Sequence, residues 1–130
     1  MNMSRKCSFF GMDGLEAFIK EMFQRDYEIT RMKSWSGIDV MEYAGEKYGL
    51  DLTDANDVAY QSLNFEETWV EFTKGEAKQQ VKFMLTGDKW CDVVPIADWT
   101  FQRNKIDVVK EINDELRPVF LKQWKDSRED

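Results

Sequence analysis

Three aspartates in the second half of the chain are the side chains best placed for acid–base chemistry. Asp88, Asp92 and Asp98 lie close together in the sequence, beside Trp90 and Trp99. A carboxylic acid in an apolar aromatic pocket has a raised pKa and can act as a general acid, and two carboxylates can act as a glycosidase pair. Aspartate is also an ordinary residue of exposed turns. We favour the turn interpretation, and a small carboxylate-dependent enzyme is the alternative.

Other catalytic and metal chemistries lack the residues they need. The chain contains no histidine, so a Ser–His or Cys–His nucleophile pair and a histidine metal site are excluded. It has no GxxxxGK[ST] or GxGxxG loop to bind phosphate. Cys7 and Cys91 form no CxxC pair, which predicts buried thiols rather than a redox site. We therefore predict a protein that is not an enzyme and that uses no cofactor and no metal.

The strongest feature of the sequence is an acidic stretch with embedded aromatic residues. Residues 48–73 contain six carboxylates and no lysine or arginine, so a fifth of the chain has six of its seven excess negative charges. Charge sets encounter rate and specificity with a partner of opposite sign, and aromatic rings supply contact energy. The predicted partner-binding residues are Asp51, Asp54, Asp57, Tyr60, Glu66, Glu67, Trp69 and Glu71. The competing interpretation is that this acidity only maintains solubility.

The charge balance also limits the class of partner. The chain has 18 basic and 25 acidic residues, which argues against direct binding to nucleic acid or to an anionic membrane surface. We therefore expect a basic protein partner. A divergent winged-helix regulator that binds DNA through another face is a further alternative. Its candidate residues are Lys105, Lys110, Arg117 and Lys122.

Apolar spacing predicts an α+β fold in a single domain, residues 1–130. Residues spaced as on one face of a helix predict three N-terminal helices, at 14–25, 36–48 and 54–63. In the second helix, we expect Ser36 to be the cap and Ile38, Met41, Ala44 and Tyr48 to form the apolar line. The acidic side of this helix carries Asp39, Glu42 and Glu46. These carboxylates either face solvent or bind Mg²⁺, and we favour a solvated face.

Strand-like alternation predicts the remaining elements. Residues 27–33 form a short strand, and residues 65–97 form a three-stranded antiparallel meander. A long C-terminal helix capped by Asn104 packs across the meander and is kinked at Pro118. The order of helix, strand, helix, helix and hairpin is also the order found in winged-helix domains, which is an analogy of order and not a motif.

Together these patterns predict a non-enzymatic protein-binding module in the cytoplasm. No apolar run is long enough for a signal peptide or a membrane span. An acidic inhibitor, or an immunity or anti-defence factor of phage or mobile-element origin, fits the size and charge. Its target is then a basic protein, for example one that handles nucleic acid. The chain has enough Met, Phe and Trp residues to form an exposed apolar patch, and such a patch could form the interface of a homodimer.

Overall fold

A computed structural model describes residues 7–10, 12–86, 90–95 and 108–128. It confirms the mixed α+β class. The elements, in chain order, are β1 (Cys7–Phe10), α1 (Met12–Gln24), β2 (Glu28–Ser34), α2 (Val40–Tyr48), α3 (Ala55–Leu63), β3 (Glu67–Lys74), β4 (Ala77–Thr86), β5 (Trp90–Pro95) and α4 (Val108–Arg128).

The predicted meander is the centre of a larger antiparallel sheet. Its strand order is β1-β5-β4-β3-β2, so β3, β4 and β5 are flanked by one strand on each side. The predicted strand at 27–33 is the edge strand β2, which pairs with β3. The predicted hairpin turn between β3 and β4 forms at Gly75, whose φ of +58° favours glycine. The second predicted turn, at Gly87 and Asp88, lies outside the described residues.

Helices cover one face of this sheet. On β3, Thr68, Val70 and Phe72 are buried, and the residues between them are exposed or only partly buried. Phe18 of α1 contacts the rings of Phe72 and Phe83 edge-on, with centroids 6.2 and 6.0 Å apart. The hydrophobic core therefore lies between α1 and the face of the sheet that carries Phe72. The opposite face, called the open face below, is open to solvent among the described residues.

Helix α1 forms where its apolar spacing predicts. Leu15, Phe18, Ile19 and Met22 are fully buried, and they recur every three or four residues along one side of the helix. This stripe faces the sheet, while charged residues occupy the other side. Helix α3 packs beside α1, and helix α4 contacts α1 and β1.

Helix α2 begins later than predicted, and its apolar line is narrower. Its cap is Asp39, whose carboxylate accepts a 3.1 Å hydrogen bond from the Glu42 N–H, instead of Ser36. The tight turn before it is closed by Ser34, whose hydroxyl accepts from the Ile38 N–H. Only Val40 and Ala44 of the helix are buried, so the predicted core positions Ile38 and Tyr48 were wrong.

The C-terminal helix is described only in part. Val109 and Ile112 in its first turns are buried in the core. The predicted cap, Asn104, lies outside the described residues. Pro118 lies inside α4, and a kink there stays a prediction.

Candidate protein-binding surface

The structure divides the eight predicted partner-binding residues between the two sides of the sheet. Helix α3 lies in the helix layer, because the Thr68 hydroxyl on the buried face of β3 donates a 2.9 Å hydrogen bond to the Ser62 carbonyl of α3. Residues that alternate with Thr68 along β3 project from the other side. The open-face group is Glu67, Trp69 and Glu71. The helix-layer group is Asp51, Asp54, Asp57 and Tyr60, and Glu66 lies in the turn between the two groups.

In the open-face group, the carboxylates are paired within the sheet. Glu67 forms an ion pair with Lys82 across the β3–β4 hairpin at 3.5 Å. The Trp69 indole donates to Glu67 at 3.3 Å, and the Lys82 ammonium lies 5.9 Å from a ring centroid of Trp69. Glu71 accepts hydrogen bonds from Gln80 at 2.8 Å and from Thr30 at 2.9 Å. This face has bases among its acids and is not an acidic surface.

In the helix-layer group, the three aspartates build the connection between α2 and α3. Asp54 caps α3 by accepting from the backbone N–H groups of Asn56 and Asp57, at 3.0 and 3.3 Å. Asp57 accepts from the Asp51 N–H at 2.8 Å. Asp51 accepts from the hydroxyl and the N–H of Thr53, and these hydrogen bonds lower the pKa of its carboxyl. All of these partners are neutral, so each aspartate keeps an uncompensated negative charge.

Three exposed tyrosines surround an open cavity between α2 and α3. Tyr43, Tyr48 and Tyr60 are 40, 55 and 56% exposed, which is unusual for large aromatic side chains. The cavity has a volume of about 480 Å³. We call it the tyrosine pocket, and its lining residues are Tyr43, Tyr48, Tyr60, Gln61, Asn64 and Phe65.

Ring contacts give the α2 side of the tyrosine pocket a defined shape. The Tyr43 ring meets the Phe65 ring edge-on at 5.9 Å and the Tyr48 ring edge-on at 6.5 Å. Edge-to-face contacts of this kind favour a preferred arrangement of the rings. On the α3 side, Asn64 donates to the side-chain carbonyl of the buried Gln61 at 3.3 Å. The pocket therefore combines aromatic walls with amide groups.

The segment that contains the residues of the tyrosine pocket is strongly acidic. Residues 36–66 have seven carboxylates and one base, a net charge of −6 in a chain whose net charge is −7. The carboxylates are Asp39, Glu42, Glu46, Asp51, Asp54, Asp57 and Glu66, and the base is Lys47. All are exposed except Asp57, which is partly buried. We call the exposed residues of this segment, with the tyrosine pocket, the α2–α3 surface.

The sequence-based prediction did not include Tyr43 and Tyr48 among the binding residues, and it began the acidic region at residue 48, whereas the exposed carboxylates of α2 extend the acidic segment back to Asp39. It assigned Tyr48 to the core and treated the acids of α2 as a separate feature. In the structure α2 has nine residues and buries only Val40 and Ala44, which leaves little area to bury a tyrosine. A helix this weakly amphipathic exposes its large aromatic residues.

The alternative sites are only partly covered by the described residues. Asp88, Asp98 and Lys105 lie outside them, and Asp92 belongs to β5, where its side chain is not described. The Arg117 guanidinium donates to Asp114 at 3.2 Å, and Lys122 is exposed. Among the described residues, no three Asp, Glu or Cys side chains are arranged to hold a metal ion. None of the helices in the described ranges is long and apolar enough to cross a membrane.

Comparisons with protein-family models, with curated proteins and with solved structures gave no significant match. Function is therefore inferred from the geometry and charge of the α2–α3 surface.

Proposed function

We propose that the protein is a non-enzymatic binding module that docks its α2–α3 surface onto a basic protein. The observation that carries this proposal is the coincidence of exposed aromatic rings and negative charge on one helix pair. Tyr43, Tyr48 and Tyr60 are exposed beside a net charge of −6. Solvation alone does not require exposed tyrosines, whereas partner binding uses them.

The two components of the surface have separate roles in this proposal. Tyrosine is enriched among residues that dominate binding energy, because a ring buries a large area at a small entropic cost. The carboxylates attract a basic partner from a distance and disfavour acidic competitors. The aspartates at 51, 54 and 57 are held by backbone and hydroxyl donors, so their charges are fixed in position before the partner arrives.

The partner we favour is a protein that handles nucleic acid. Such proteins present clusters of lysine and arginine to phosphates. A rigid acidic surface that occupies this cluster competes with the nucleic acid and so inhibits the partner. Inhibitory, immunity and anti-defence roles, including those of phage or mobile-element proteins in the cytoplasm, all fit this chemistry.

Affinity capture from a native cell lysate with matched charge variants tests the proposal. Glu42 and Glu46 of α2 are exposed, and their carboxylates form no ion pair with a described residue. The variant E42Q/E46Q therefore removes two charges from the surface without breaking a described contact. The matched control, E28Q/E76Q, removes two exposed charges near the β3–β4 turn. Glu28 is the first residue of β2, and the other end of β2, which leads to α2, is about 20 Å away.

We expect wild type and E28Q/E76Q to retain a basic partner at low salt and to release it at high salt. E42Q/E46Q should retain clearly less at the same salt, with an association rate reduced severalfold. Equal loss in both variants, or capture that does not depend on salt, would contradict docking through the α2–α3 surface.

A further inference from the structure

We propose that the tyrosine pocket receives an arginine side chain of the basic partner, and that Lys47 occupies the hydroxyl edge of the Tyr43 ring until this arginine arrives. This inference rests on the proposed function and specifies the group that its central pocket recognises. It also assigns an autoinhibitory role to the one base on the α2–α3 surface.

The position of Lys47 shows that the pocket rings accept a cation. Its ammonium lies 5.3 Å from the ring centroid of Tyr43 and 5.7 Å from that of Tyr48. It also donates a 3.1 Å hydrogen bond to the Tyr43 hydroxyl. The centroid distances are within the range of cation–π attraction, and the hydrogen bond places the ammonium at the hydroxyl edge of the Tyr43 ring, so the face of that ring stays open. Two rings and a hydroxyl thus form a site of the geometry that a positively charged side chain requires.

Lys47 is a replaceable occupant. It is exposed and forms no ion pair with a carboxylate among the described residues, although seven carboxylates share its segment. Its side chain has four rotatable methylene groups, so the ammonium can leave the rings without any movement of the backbone. The Tyr43 hydroxyl and the ring edge that it contacts then become available to a partner residue.

Arginine is the partner residue that fits the pocket best. A guanidinium is planar, stacks on aromatic faces and is more weakly hydrated than an ammonium, so it loses less on leaving water. It also has five N–H donors, and the pocket offers tyrosine hydroxyls and the side-chain amides of Gln61 and Asn64 as acceptors. The seven carboxylates of the same segment favour a cation further. A lysine would compete on equal terms with Lys47, whereas an arginine has more donors and a larger contact area.

Ring variants test the arginine site, with a nona-arginine peptide and a nona-lysine peptide as probes in calorimetry at physiological salt. Wild type should bind nona-arginine more tightly than nona-lysine. Y48L should weaken nona-arginine binding about two- to fivefold, since it removes one cation–π contact. Y48F keeps the ring and loses only one hydroxyl acceptor, so it should bind nona-arginine more tightly than Y48L does. The matched control is W35L, because Trp35 is 71% exposed and does not line the pocket.

A loss in Y48L no larger than in W35L would overturn the arginine site. So would a Y48F variant as weak as Y48L, or equal binding of the two peptides by wild type.

A second pair of variants tests the role of Lys47. K47M removes the ammonium and keeps a stem of similar length, and K78M removes an exposed charge from the open face of the sheet. We expect K47M to bind nona-arginine about two- to fivefold more tightly than K78M, because the arginine no longer displaces a resident cation. Equal or weaker binding by K47M would overturn the autoinhibitory role.

These experiments distinguish a failure of the arginine site from a failure of the proposed function. If E42Q/E46Q weakens nona-arginine binding but Y48L and K47M match their controls, the acidic surface is a docking surface and only the arginine site is wrong. If wild type does not bind nona-arginine and E42Q/E46Q captures the same proteins as E28Q/E76Q, both the arginine site and the proposed function are wrong.

Discussion

Glu16 of α1 accepts a 2.8 Å hydrogen bond from the side-chain amide of Asn56 in the first turn of α3. The other carboxylate oxygen of Glu16 forms an ion pair with Lys20 at 2.9 Å. This link joins the helix that packs on the sheet to the helix that carries Tyr60. It therefore helps to position one wall of the tyrosine pocket relative to the core.

The Glu16–Asn56 link should make stability depend on pH. The hydrogen bond from Asn56, followed by the hydrogen bond and charge of Lys20, lowers the pKa of Glu16. Because the pKa is lower in the folded state, the contribution is present above the ordinary glutamate range, near pH 4, and is lost as the pH falls through the native value. N56A should therefore lower the free energy of unfolding by less than about 1 kcal/mol at pH 7.

Urea unfolding of wild type and N56A from pH 7 to pH 3 measures this difference. The change in helix propensity is independent of pH, so only the hydrogen bond makes the difference shrink in acid. A difference that is constant across the range, or an unchanged Glu16 titration by NMR, would show that the link is absent in solution.

Asp54 combines a structural role with a charge, and two substitutions separate them. D54A removes the cap and should lower the free energy of unfolding by about 1 kcal/mol. D54N keeps an acceptor for the N–H groups of Asn56 and Asp57 and should cost less than about 0.5 kcal/mol. Chemical denaturation of both variants, with D39A on α2 as a second cap for comparison, checks this order. Equal losses in D54A and D54N would mean that the charge, and not the cap, stabilises α3.

Ser62 should be a site where a smaller, apolar residue stabilises the protein. Its hydroxyl is buried and has no hydrogen-bond partner among the described residues. S62A removes this unsatisfied group, while the Ser62 carbonyl still accepts from Thr68. We expect the free energy of unfolding to rise by about 1 kcal/mol and Tm to rise by about 3–5 °C. T68V removes the donor instead and should lower Tm; a fall in Tm for S62A would show that its hydroxyl is bonded in solution.

Removing carboxylates from the open face and from the α2–α3 surface should have different effects on association with a basic partner. E67Q/E71Q neutralises two carboxylates of the open face, and E42Q/E46Q neutralises two of the α2–α3 surface. Although both remove the same charge, we expect only E42Q/E46Q to slow association with a basic partner severalfold, because screened charges act over about 8 Å. Stopped-flow association at physiological salt measures both rates. A comparable slowing by E67Q/E71Q would place the docking surface on the open face or across the β2 edge.

Glu71 on the open face should contribute to stability in a pH-dependent way. Burial tends to raise the pKa of Glu71, but hydrogen bonds from Gln80 and Thr30 and the charges of Lys78 and Arg31 outweigh it, so its pKa is lowered. Its contribution is therefore present at pH 7 and is lost as the pH falls through the lowered pKa. E71Q should be less stable than wild type at pH 7 and should approach it near pH 3. A constant difference across this range would contradict the sign.

Most elements of the fold are determined by local sequence. The stripe Leu15, Phe18, Ile19 and Met22 predicts α1, and the alternation of Val70 and Phe72 with charged residues predicts β3. Such patterns are readable because side-chain direction follows the period of the local backbone. The same alternation correctly predicts that Glu67, Trp69 and Glu71 share one face of β3. Residue type also limits the cap of α3 to Thr53 or Asp54, and the structure selects Asp54, whose carboxylate accepts from N–H groups two and three residues away.

Only the tertiary structure decides which faces meet. Residues close together in sequence, such as Tyr60 and Trp69, lie on opposite sides of the sheet because the chain crosses from the helix layer into β3 between them. Residues farther apart, Tyr43 and Phe65, come into ring contact because α2 and α3 flank one cavity. Charge density along the chain therefore does not show that the eight predicted binding residues divide between the two sides of the sheet, because that division depends on how the elements pack.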